Sequence, residues 1–239
     1  MSERLVIQRL ITAAARSTLH PLGLTQKNRG RTWYDDRGWS LIVVEFQPGR
    51  SPGTYVNVGA MWLWTERVFW AFDEGCRLYW RDDATFVSEP PLGEGGWRQQ
   101  ADFLNTDQFT RDVALAVKVA AARVTELRTQ LPDVAAVAAR LTGRPTRLGE
   151  SPLWHAFHSG AAAALSGDLS AAARSLTEVV SADLQVEWEH DLAAEASELL
   201  GLMNHPVALR RRLVETIGRS RHMLKLPAAD LDSGCFGLR

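Results

Sequence analysis

Lysine is nearly missing from this chain, cysteine is scarce, and no long apolar run interrupts it. The lysines are Lys27, Lys118 and Lys225, so arginine carries almost all the positive charge. With a formal net charge of −1 and a pI near 6.6, the whole-chain basic footprint of a nucleic-acid-binding domain is absent. So is the basic excess that draws proteins to anionic lipid. Cys76 and Cys235 have no CxxC or CxxH companion, which argues against a zinc framework and favours two free thiols in a reducing cytosol over a disulfide. The first residues carry a charge every few positions and lack the roughly 7–15-residue apolar core of a signal peptide. No later stretch approaches the roughly 18 apolar residues of a membrane span. A soluble, cytoplasmic protein is expected.

What is abundant is tryptophan. Nine occur in 239 residues, seven of them before residue 100 (Trp33, Trp39, Trp62, Trp64, Trp70, Trp80, Trp97) and two after it (Trp154, Trp188). The chain changes character between its halves, first aromatic and strand-like, then alanine-rich and helical. Arginine over lysine, with many alanines, fits a GC-rich bacterial genome. At 46% hydrophobic, the length allows a sizeable core.

Leu5, Ile7, Leu10, Ile11 and Ala14 fall at helical spacing over residues 3–20. Arg29–Asp35 and Trp39–Gln47 then read as strands flanking an Asp36-Arg37-Gly38 turn. Thr54–Trp64 reads as a third strand and Cys76–Phe86 as a fourth, with a Pro/Gly loop at residues 90–96. From about residue 106 the pattern is helical. Phe109, Val113, Val117, Ala120, Val124, Leu127 and Leu131 trace one stripe, with Thr106 as its N-cap. The predicted fold is α+β: an N-terminal helix on an antiparallel sheet of about four strands over 1–104, then an all-helical region of helix hairpins over 105–239.

In the first hairpin, Gly160, Gly167-Asp168, Ala172 and Leu176 resemble the small-residue spacing of tetratricopeptide-like helix pairs. One unit is covered and the family's aromatic and proline positions are missing, so the resemblance implies a helix pair and not a repeat array. The second hairpin separates its charges. Asp183, Glu187, Glu189, Asp191, Glu195 and Glu198 precede Arg210, Arg211, Arg212, Arg219, Arg221 and Lys225, a pattern that would steer the two helices into register.

In the first half, the segment Leu24-Thr25-Gln26-Lys27-Asn28-Arg29-Gly30-Arg31-Thr32-Trp33-Tyr34 is followed by Val44-Glu45-Phe46-Gln47, Tyr55-Val56-Asn57-Val58-Gly59 and Cys76-Arg77-Leu78. Together, over roughly residues 5–140, these resemble the bacterial family named domain of unknown function 4304. The resemblance implies a helix followed by aromatic strands, one ending in Gln and one bearing Asn-x-Gly. It implies no activity. The lead-in here carries a single lysine.

Strand alternation sharpens the reading of the sheet. If Asp35 faces Trp39, then Arg31 faces Val43 and Arg29 faces Glu45. If Pro48 faces Thr54, then Gln47 faces Tyr55 and Glu45 faces Asn57. One face then holds Ile42, Val44, Phe46, Val56, Val58 and Ala60, a core face. The other gathers Arg29 with Arg31, Trp33, Glu45, Gln47, Tyr55 and Asn57. This polar set is either an ordinary solvated sheet surface or a ligand-binding groove in which Arg31, Gln47, Tyr55 and Asn57 hydrogen-bond beside a Trp33 wall. A lone Glu45 is a poor catalytic set, because acid–base work needs two groups with separated pKa values.

Other chemistry lacks its parts. His155 and His158 sit three apart but have no third metal ligand nearby in sequence. Cys76 has no activating base, Ser151 and Ser166 lie in no GxSxG elbow, and Gly93-Glu94-Gly95-Gly96 lacks the Lys and Ser/Thr of a phosphate loop. Arg210-Arg211-Arg212 follows a strongly acidic helix. No metal, cofactor, nucleic acid or membrane partner is expected, and self-association stays open. The apolar runs 61–64 and 69–72 are either core or a partner interface. The expectation is a non-enzymatic protein–protein interaction module, immunity or regulatory in kind. The alternative is an enzyme or small-ligand binder using the polar sheet face.

Overall fold

Helix α1 (Glu3–Leu19) opens the chain, and the stripe Ile7, Ile11, Ala15 and Leu19, one residue per turn, is buried. The computed structural model describes residues 2–147 and 149–231. Cys235, on which any disulfide would depend, lies outside the described residues.

Among the described residues eight strands follow: β1 (Thr25–Gln26), β2 (Thr32–Asp36), β3 (Ser40–Gln47), β4 (Gly53–Trp62), β5 (Glu74–Arg77), β6 (Tyr79–Trp80), β7 (Phe86–Val87) and β8 (Gln100–Asp102). Six of them form one antiparallel sheet in the order β1-β2-β3-β4-β5, with β8 also on β4. Strand β4 shares one edge between two partners. Its Gly53–Tyr55 end pairs with β8, and Asn57–Ala60 pairs with β5. β6 and β7 make a separate two-stranded ribbon.

The first hairpin corrects the expected register. Asp35 pairs with Ile42 and Trp33 with Val44, where the sequence reading had Asp35 opposite Trp39. The chain reverses more tightly than a three-residue loop: the Arg37 N–H donates to the Ser40 carbonyl at 3.0 Å, with Gly38 at φ +81° between them. The slip from Trp39 to Ile42 is three residues, an odd number, so it moves β2 side chains to the opposite face of the sheet. The Trp33 ring gains burial by it and is 1% exposed.

Strands β4 and β5 approach more closely than side chains would allow. A Cβ on Gly59 would stand 2.1 Å from the Glu74 carbonyl oxygen, and one on Gly75 would stand 2.5 Å from the Gly59 Cα. Gly75 also sits at φ +95°, a conformation that favours glycine. This pair fixes where the Asn57–Arg77 rung falls.

The helices are α2 (Thr106–Gln130), α3 (Val134–Thr142), α4 (Pro152–Ser166), α5 (Leu169–Val180), α6 (Glu187–Gly201) and α7 (Pro206–Met223). The α2 stripe from Phe109 to Leu127 is buried as its periodicity predicts. Its cap lies one residue earlier than Thr106: the Asn105 side chain accepts the Gln108 N–H at 2.9 Å. Asp133, Ser151 and Asp168 cap α3, α4 and α5 in the same way. In the α4–α5 hairpin, a Cβ on Gly160 would come within 2.6 Å of Leu176, so the small residue there lets the helices meet closely.

By compactness the described residues fall into two units, one from Met1–Met61 with Ala71–Thr129 and one from Trp62–Trp70 with Gln130–Arg239. α2 belongs to the sheet unit, where the Arg128 guanidinium holds Asp35 at 2.9 Å and the Leu22 carbonyl at 2.7 Å. Trp62–Trp70 belongs to the helical unit, where the Trp64 indole donates to His158 at 3.1 Å and the Arg67 N–H to Ser220 at 3.1 Å. The two apolar runs behave differently. Met61, Trp62, Leu63 and Trp64 are all buried, whereas Phe69 is exposed. No helix among the described residues is long and apolar enough to cross a membrane.

Candidate functional site

On the sheet, β3 and β4 bring together four of the six residues expected to form a groove. The Asn57 amide nitrogen donates to Glu45 at 2.9 Å and to Gln47 at 3.0 Å. Tyr55 joins through a residue the register argument did not include. Arg77 pairs with Asn57 across β4 and β5, donates to Gln47 Oε1 at 2.7 Å, and lays its guanidinium over the Tyr55 ring at 3.8 Å. Lys27 stands near enough to Glu45 to feel its charge. Burial lowers the ammonium's pKa, and the carboxylate partly offsets this.

Arg31 and Trp33 are not part of this cluster. Arg31 precedes β2 and donates from Nε to Gln8 of α1 at 2.5 Å, and burial lowers its pKa. Trp33 is a core residue, for the reason of register given above. Arg29, expected opposite Glu45, sits in the Lys27–Gly30 turn at φ +57°, and Thr32 takes its place beside Glu45.

The cluster therefore holds one carboxylate, two amides, a phenol and the cations Arg77 and Lys27, with the donors of Asn57 and Arg77 directed at Glu45 and Gln47. No second carboxylate or imidazole stands among these residues to pass a proton. The arrangement stitches three strands together.

A second feature lies wholly in the helical unit and starts from the two late tryptophans. Trp154 of α4 stacks on Trp188 of α6, with centroids 6.0 Å apart and planes 4° apart. On α4 itself Trp154 also stacks with His158 at 5.3 Å, and His158 meets Trp64 edge-on at 6.3 Å. Trp64 in turn stacks on Trp62 at 5.1 Å. Arg67 places its guanidinium over the Trp154 ring at 5.3 Å. The series runs from fully buried Trp62 and Trp64 to Trp188, which is 41% exposed beside Val186 at 46%. Sequence periodicity shows Trp154 and Trp188 only as apolar helix positions. Their contact depends on how α4 and α6 pack, which no local pattern encodes.

Helices α6 and α7 carry the separated charges, and Arg212 and Glu198 realise the predicted pairing. Arg212 holds Glu198 with two hydrogen bonds, at 2.7 and 2.8 Å, and also contacts Thr216. Arg219 reaches Glu66 at 3.6 Å. Glu195 lies within this network. Burial pushes its carboxyl up to about 7, with Arg212 and Arg219 pulling it down and Glu198 and Glu66 adding to the rise. A surface pocket of about 540 Å³ opens nearby, lined by Glu66, Glu215, Gly218, Arg219, His222 and Met223.

The two histidines spaced for a metal are occupied separately. His155 Nδ1 lies 3.3 Å from Glu150, and His158 Nδ1 accepts the Trp64 indole proton, which leaves the His158 proton on Nε2. Glu150 is also held by two bonds from Arg144, at 2.7 and 2.8 Å. Burial works to raise its pKa, but the Arg144 and Arg147 hydrogen bonds and charge bring it down to about 2. Among the described residues, no group of three or more His, Cys, Asp or Glu side chains could hold a metal ion. Comparison with known protein families, with curated proteins and with solved structures returns no match.

Proposed function

We propose that this chain is a non-enzymatic, cytoplasmic protein-binding module, and that it engages its partner through the start of α6 in the helical unit. The observation that carries this reading is Trp188. Its indole is held flat against Trp154 yet stays 41% exposed, next to Val186. A large ring fixed in place on a rigid helix contributes contact area with little entropy left to lose, which is why tryptophans dominate the energetics of protein interfaces.

The polar sheet face supports the same reading by its chemistry. The Asn57 amide and one Arg77 N–H are engaged by Glu45 and Gln47, so a small molecule would have to break those bonds to use them. A single carboxylate gives no acid–base pair. An immunity or regulatory role is the class of function that such a module serves.

Affinity purification of the tagged chain from its native cells tests this. The wild type and an Asn57→Ala variant are expected to retain the same partner in stoichiometric amount, and Trp188→Ala to lose most of it. A partner retained equally by Trp188→Ala and lost by Asn57→Ala would overturn the reading in favour of the sheet face.

A further inference from the structure

The charge around Trp188 defines the chemistry of what binds there. Between Arg174 and Arg210 the sequence contains neither lysine nor arginine, while Glu178, Asp183, Glu187, Glu189, Asp191, Glu195 and Glu198 all fall in that interval. Not all of these carboxylates are available. Glu189 folds back on the helix start, accepting the Gln185 and Val186 N–H groups at 2.6 and 3.3 Å. Glu198 is committed to Arg212. Asp183, Glu187 and Asp191 are exposed. Glu187 and Asp191 are four apart on α6, and Asp191 lies one turn beyond Trp188. The exposed indole is thus flanked by free carboxylates on its own helix.

An indole face carries negative electrostatic potential, and of the aromatic side chains it attracts a cation best. The same stack already shows this use, with the Arg67 guanidinium over Trp154 at 5.3 Å. The outer end of the stack presents a second indole, with carboxylates placed to receive the N–H groups of an incoming side chain.

Resting on the protein-binding reading above, we infer that the partner presents a cationic, arginine-bearing segment, with one guanidinium laid over Trp188 and others paired with Asp183, Glu187 and Asp191. Val186 supplies the apolar contact beside it, so the matching segment is amphipathic as well as basic. An acidic segment would meet like charge and be excluded.

The test uses the full chain and three labelled synthetic peptides of equal length: an amphipathic arginine peptide, the same peptide with glutamine for arginine, and one with glutamate. Fluorescence polarisation is expected to show binding of the arginine peptide, binding at least about tenfold weaker for the glutamine peptide, and none for the glutamate peptide. Trp188→Leu is expected to cost about tenfold, and Trp188→Phe less, because the phenyl face attracts a cation more weakly. Glu187→Gln combined with Asp191→Asn should weaken binding further and flatten its salt dependence. Circular dichroism of each variant separates lost binding from lost folding. The inference is overturned if the glutamine peptide binds as well as the arginine peptide, or if a folded Trp188→Leu binds the arginine peptide unchanged. A Trp188-dependent partner in the purification, together with no arginine-peptide binding, would sink this inference and leave the protein-binding reading standing.

Discussion

Asn57 holds the sheet face together by donating to Glu45 on one side and Gln47 on the other. Truncating it removes both bonds and leaves Glu45 half-buried without that donor. Asn57→Ala is therefore expected to destabilise the fold by roughly 1–3 kcal/mol, read from the shift in urea midpoint at unchanged slope. A loss below about 0.5 kcal/mol would show the cluster to be solvated surface with little structural role. The same residues show what the sequence made legible. Glu45, Gln47, Tyr55 and Asn57 lie on two long strands where a period of two places side chains reliably. Arg31 and Trp33 were misplaced because their position depended on the turn at Gly38, and an odd slip there reverses every side chain. Arg77 escaped because β5 begins only after the chain has left β4 at Trp62, so nothing local fixes its register.

Helices were legible for a related reason. One apolar residue per turn demands a buried side, and on α2 burial follows the expected stripe. On α1 only Ile7 and Ile11 of the expected set are buried, Leu5 is exposed, and the buried line continues through Ala15 and Leu19. What periodicity cannot give is the environment of a polar residue on the helix flank, and Glu195 is the case in point. Its folded pKa of about 7 stands above the ordinary value of 4.5, so the native state holds a proton that the unfolded chain has released. Stability should then fall as pH rises from about 4.5 to about 7 and level off above that. Fully expressed, that shift is worth roughly 3 kcal/mol. Glu195→Gln is expected to abolish this slope and to raise the melting temperature at pH 8. An unchanged slope in the variant would assign the pH dependence to other groups. Glu150 acts in the opposite sense: with its carboxyl held to about 2, its contribution is present at neutral pH and is lost as pH falls below about 4.5. The carboxylate is paired with Arg144 in a partly solvated site, and screening there limits the contribution to about 1–2 kcal/mol.

At the scale of the whole chain, composition separates an aromatic, strand-rich half from an alanine-rich, helical one, and both halves are built as that contrast implies. The finer partition follows packing more than composition. α2 is helical yet serves the sheet unit, and Trp62–Trp70 follows a strand yet serves the helical unit. Each is placed by a few long-range contacts, Arg128 with Asp35 and Trp64 with His158, which sequence neighbours do not announce. Trp188 belongs to this scale as well, since only the assembled α4 and α6 show that it is supported from below and open above. The most direct measurement is photo-crosslinking in native cells with a photoreactive amino acid at position 188 and, separately, at position 57. The account predicts one dominant crosslinked protein from position 188, carrying an arginine-rich segment at the crosslink, and none from position 57. Crosslinks from position 57 alone, or none from either position, would contradict it.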